Sequence, residues 1–113
     1  MENKKIILGT AQFLNQYGIA NTNQKKISKS IFYKILNLSL NNGISTLDTA
    51  NSYNNEKDIG NFIKANGIEK KIKIITKIPS LRITKKKDIT KILEKSLKNL
   101  NIKKFQTIFF HDQ

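Results

Sequence analysis

An acid, a phenol, an amine and an imidazole stand at or just past the carboxyl ends of the predicted β-strands: Asp48 and Tyr53 in LDTANSY, Lys77 in IITK, and His111, the sole histidine, in FFHD. Open α/β sheets and β/α barrels assemble their catalytic groups there, because the loops leaving those ends converge on one face. A phenol is a poor acid at neutral pH, with an ordinary pKa of about 10, and an ammonium held beside it favours the phenolate. Lys77 is the available ammonium, Asp48 a carboxylate able to keep it charged and oriented, and His111 a hydrogen-bond donor to a substrate oxygen. Together they make an electrophilic pocket for a carbonyl, with Tyr53 delivering a proton to oxygen. Singly, each has a plainer role: a turn cap for Asp48, a solvated charge for Lys77, a surface or packing residue for His111. Their joint arrival at strand ends is what favours chemistry.

The elements that must position them alternate along the chain. Short β-branched runs read as strands at Ile6 to Gly9, Ile44 to Leu47, Ile72 to Thr76 and Phe105 to Phe110, and near-continuous apolar runs of this kind suit parallel strands covered on both faces. Between them lie three helix patterns. Ser28 is placed to cap a helix carrying Ile31, Ile35, Leu36 and Leu40, which stops at Asn42-Gly43. A second spans Glu56 to Ala65 with Ile59, Phe62 and Ile63 on one face and Asn66-Gly67 as its stop; a third carries Ile89, Ile92, Leu93, Leu97 and Leu100 beneath a lysine-rich, solvated face. The order β-α-β-α-β-α-β predicts an α/β fold with a parallel sheet and right-handed crossovers. The long irregular stretch from Ala11 to Ile27, with Gln12, Phe13, Tyr17 and Gly18, follows the first strand onto the same face as the four chemical residues. Pro79, the sole proline, is expected just after the third strand.

A chain of 113 residues fits a single domain over 1–113. Its net charge of +13 and pI near 10.0 would ordinarily point to nucleic acid. Yet every basic residue except Arg82 is lysine, scattered along the chain amid heavy asparagine and isoleucine usage. Base reading and phosphate forks favour arginine, so the expectation is no nucleic acid. Cysteine is absent, which removes disulfides and cysteine-based zinc sites, and no metal site is expected. No apolar run approaches the roughly 18 residues needed to span a bilayer, so the expectation is no membrane and a cytoplasmic protein.

Read end to end, the segments LGTAQF with QYGIAN, NGISTLDTANSY with NNEKDIGNFI, KIKIITKI, and LEKSLKNLNIKKFQTIFFHD resemble the aldo-keto reductases. The resemblance implies the first half of a TIM (β/α)8 barrel, four strands and three helices of it, and an oxidoreductase that reduces an aldehyde or ketone with NADPH. It makes Tyr53 the general acid, Lys77 its tuning partner, Asp48 the carboxylate paired with Lys77, and His111 the residue orienting the carbonyl. Gly9, Thr10 and Asp48 would approach the cofactor near its nicotinamide ribose. The variant of the first loop is similar to that of bacterial members associated with surface-sugar biosynthesis, which implies a sugar-like carbonyl substrate.

Two positions depart from the family pattern. Asn54 stands where glycine usually follows the tyrosine, a tolerable exchange because asparagine also enters left-handed backbone conformations, and Gln106 stands where aspartate is common early in the fourth strand. The half of the barrel that grips most of the cofactor is not represented, and no glycine-rich phosphate loop replaces it. An open four-stranded sheet would leave apolar edges bare, Phe109 and Phe110 among them, inviting a complementary half barrel or a second copy. The alternative is a truncated, noncatalytic half barrel or interaction remnant without a cofactor site.

Overall fold

The computed structural model describes residues 5–13, 27–79 and 85–111. Four strands, β1 (Ile7–Gly9), β2 (Thr46–Asp48), β3 (Lys73–Pro79) and β4 (Thr107–His111), form one sheet in sequence order with every neighbouring pair parallel. The helices α1 (Lys29–Asn41), α2 (Glu56–Asn66) and α3 (Lys86–Leu100) connect them, and a short 3-10 turn, Asn51–Tyr53, precedes α2. This is the α/β order that the hydrophobic periodicity predicts.

Helix ends are set by local chemistry. Ser28 caps α1 by accepting the Ile31 N–H on its hydroxyl at 3.4 Å. At the other end Gly43 takes a φ of 81° and the Ile44 N–H donates back to the Ser39 carbonyl at 2.8 Å. Ile44 is thereby spent on closing the helix, so β2 starts at Thr46 rather than at Ile44. Gly67 ends α2 and Asn101 ends α3, both left-handed. Asn101 also donates its side-chain amide to the Gly60 carbonyl at 2.9 Å, tying the end of α3 to the middle of α2. Gly60 is required there by the close approach of the two helices: a Cβ on it would run into the Asn99 carbonyl.

β3 alternates strictly. Ile74, Thr76 and Ile78 are buried against the helices, while Lys73, Ile75, Lys77 and Pro79 are on the other face and less covered. The strand runs through Pro79 instead of stopping at Thr76, because β4 supplies partners as far as the Pro79–His111 pair. Lys77 therefore lies inside the strand, two residues short of its end.

The core forms between the helices and one face of the sheet. Phe32 and Leu36 of α1, Leu47 of β2, Ile59, Phe62 and Ile63 of α2, Ile74 of β3 and Leu100 of α3 are all buried in one cluster. At roughly 25 cal/mol per Å² of apolar surface, each such side chain contributes about 2 kcal/mol. Phe32, not the expected Ile31, anchors α1: Ile31 faces solvent at 50% exposure, because the buried stripe is Phe32, Leu36 and Ser39. Phe13, expected on the loop of the chemical face, instead joins the core with its ring stacked on Phe32 at 4.3 Å. Tyr17 and Gly18 lie outside the described residues. In α3 only Ser96 and Leu100 are fully buried, so the apolar stripe over Ile89, Ile92, Leu93 and Leu97 is covered only in part. At the far edge, Ile108, Phe109 and Phe110 of β4 are 42 to 53% exposed, as an uncovered edge strand should be.

Candidate active site

Register decides which side chains meet. Asp48 closes β2 opposite Ile75, and Lys77 follows Ile75 by two residues, so both carry their side chains on the face of the sheet turned away from the helices. The Lys77 Nζ reaches the Asp48 Oδ1 at 2.5 Å and donates also to the Thr49 carbonyl at 3.2 Å. Both charged groups keep part of their surface, 21% for the lysine side chain and 38% for the aspartate. Desolvation is therefore moderate and the pair remains open to a ligand approaching along the strand ends.

Tyr53 ends the 3-10 turn and is buried. The turn can reverse so sharply because Asn54 takes φ 58° and ψ 30°, the left-handed conformation for which asparagine is an adequate substitute for glycine. The outcome is that the Lys77 ammonium sits 5.5 Å from the centre of the Tyr53 ring, within cation–π range. One lysine thus pairs with the carboxylate and lies over the tyrosine ring. His111 closes β4 opposite Pro79, one alternation beyond the Lys77–Phe109 pair; only its backbone is described.

Gly9, at the end of β1 beside Asp48, is exposed, and a Cβ on it would meet nothing within 4 Å. The strand ends of β1 and β2 thus present open backbone beside a partly exposed carboxylate. Thr10 is different. It is fully buried, its hydroxyl donating to the Asp48 carbonyl at 3.1 Å, so its side chain is committed to the protein. Among the described residues no group of three or more histidine, cysteine, aspartate or glutamate side chains stands close enough to hold a metal ion, and no helix is long and apolar enough to cross a membrane.

Two buried polar residues escaped the sequence reading. Asn55 is 0% exposed and its amide links Thr10 to Thr49. Glu56 begins α2 and is buried with its Oε2 unpartnered. Burial pushes its carboxyl above the ordinary carboxylate range, against the opposing pull of Ser96, Asn99, Lys95 and Asn51. Both lie in NNEKDIG, and their signal was polarity at the first turn of a helix, a pattern that ordinary capping explains equally well.

No curated protein matches this sequence. Solved structures do. A Pseudomonas aeruginosa protein described as an aldo-keto reductase superposes with a TM-score of 0.75 at 21% identity, covering 95% of this chain and 42% of that one. The holo form of an aldo-keto reductase from Bacillus halodurans gives 0.69 at 22%, covering 94% and 35%. A protein described as a 2,5-diketo-D-gluconic acid reductase B gives 0.67 at 22%, covering 93% and 32%. The chain spans less than half the length of each, and its sheet and helices correspond to the first half of their TIM barrel. The aldo/keto reductase family model matches residues 5–113, and the chain belongs to that family.

Proposed function

We propose that residues 1–113 form a single partial domain contributing the proton-transfer half of an NADPH-dependent reductase of aldehydes or ketones. The observation that carries this reading is the bridging position of Lys77, in contact with the Asp48 carboxylate and over the Tyr53 ring. Tyr53 is the general acid: its hydroxyl gives a proton to the carbonyl oxygen as that oxygen gains charge. Lys77 stabilises the negative charge left on the phenol oxygen, and Asp48 holds the ammonium in place and balances it. His111 orients the carbonyl. The exposed backbone of Gly9 and the carboxylate of Asp48 border the nicotinamide ribose, with Thr10 contributing only from beneath. NADPH, when bound, supplies the hydride. A sugar-like carbonyl is the substrate class proposed, in keeping with the sugar-acid reductase among the structural relatives, and the setting is cytoplasmic.

The half-exposed apolar strand β4 supports a further element of the reading, that this chain acts when the remaining β/α units of a barrel, or a second copy, cover Ile108, Phe109 and Phe110. The test is to mix the chain with the second half of the Pseudomonas aeruginosa relative and follow NADPH oxidation with aldehyde and sugar-derived carbonyls. Turnover that vanishes in Tyr53→Phe, with NADPH fluorescence still responding to binding, is the expected result. Absence of any NADPH binding, alone or with the added half, would favour instead a noncatalytic half barrel.

A further inference from the structure

Asparagine is among the best helix N-caps because its side chain can accept the first free N–H groups of the helix. Asn55 occupies the N-cap position of α2, yet its side chain makes no capping hydrogen bond. The amide turns the other way, into the sheet. Its Nδ2 donates to the Thr10 carbonyl at 3.0 Å and approaches the Thr10 hydroxyl at 3.4 Å, while its Oδ1 accepts the Thr49 hydroxyl at 3.0 Å. All three residues are 0% exposed. Forgoing a cap weakens the start of α2, and a buried polar network persists only where its members satisfy one another.

The two arms of the amide end on the two backbone segments that hold the ion pair. Thr10 donates its N–H and its hydroxyl to the Asp48 carbonyl, at 3.0 and 3.1 Å. Thr49 offers its carbonyl to the Lys77 Nζ. Asn55 itself follows Tyr53 by two residues, across the left-handed Asn54. We propose that Asn55 is a positioning residue, a buried clasp that fixes the Tyr53 turn to the ends of β1 and β2 and so sets Tyr53, Asp48 and Lys77 at their working separation. The functional meaning rests on the reaction proposed above; the clasp itself does not.

The 113-residue chain can be tested directly. Reductive methylation with 13C-formaldehyde gives each lysine a methyl resonance and retains its charge, and Lys77 is assigned by the signal missing in Lys77→Arg. With the Tyr53 ring close by, that signal is expected to be displaced from the bulk lysine position. In Asn55→Ala it should return to the bulk position, and amide exchange at Thr10 and Thr49 should quicken about tenfold, as for a lost buried hydrogen bond. Asn101→Gly, which removes a comparable side-chain clasp between α3 and Gly60 while allowing the left-handed backbone, should lower the melting temperature and leave the Lys77 signal in place. If Asn55→Ala does not fold, Thr49→Val removes one arm and is read the same way, with Thr49→Ser restoring the native signal. An unmoved Lys77 signal in Asn55→Ala or Thr49→Val, or an equal shift in Asn101→Gly, would overturn the proposal. Tyr53→Phe keeps the ring and should keep the displaced signal, so failure of the proposed reaction and failure of the clasp are read separately.

Discussion

The centre of the sheet and its β4 edge are built from similar residues and live in opposite environments. At β2 and β3 the helix side is sealed by α1, α2 and α3 over Leu47, Ile74 and Ile78, and the other face carries the Asp48–Lys77 pair. At β4 the run Ile108-Phe109-Phe110 is as apolar as any in the chain and is about half exposed on both faces. Apolar sequence alone therefore does not make a core here. A strand becomes core when a helix packs on it, and among the described residues no helix follows β4 to cover its outer side.

The largest effect should come from the sealed layer. Ile59→Ala removes a fully buried side chain from the interface of α2 with the sheet and should cost about 3 kcal/mol in urea unfolding. A loss under half of that would mean the centre is no better packed than the edge. Gly60→Ala should cost about 2 kcal/mol, because the Asn99 carbonyl must be pushed aside; an unchanged midpoint would show that α2 and α3 are not held at this distance.

Glu56 gives a smaller, pH-dependent effect. Its folded carboxyl binds a proton more tightly than in the unfolded chain, so its contribution to stability is lost as pH rises past about 4.5 toward the raised folded value. Glu56→Gln keeps the shape and removes the charge. Its melting temperature should exceed the native one at pH 7, and the gain should fade by pH 4; a gain independent of pH would assign it to packing instead. The smallest effect belongs to the edge. Phe109→Ser should change unfolding free energy by less than about 0.5 kcal/mol while reducing self-association in light scattering. A destabilisation comparable to that of Ile59→Ala would remove the contrast between centre and edge.

Much of this was legible before the fold was known. Ser28, Gly43 and Gly67 mark helix ends by chemistry that acts within a few residues, and Asn54 was readable as a left-handed position because asparagine tolerates it. The errors came where a residue's role depends on something distant. Ile44 reads as strand but is drawn back to Ser39. Phe13 reads as loop but stacks on Phe32. Asn55 drew no reading at all, since its amide finds its partners only through the approach of Thr10 and Thr49, 45 and 6 residues away in sequence.

The sequence by itself determined the order of the elements and the family, because periodicity, capping and motif are properties of short stretches of chain. Only the tertiary structure decided that one lysine would pair with Asp48 and lie over the Tyr53 ring, that Thr10 would be sealed beneath the site, and that β4 would stand half exposed. Those outcomes depend on strand register and helix coverage. A shift of one residue in the pairing of β2 with β3 would turn Asp48 and Lys77 to opposite faces with no change in the sequence of either strand.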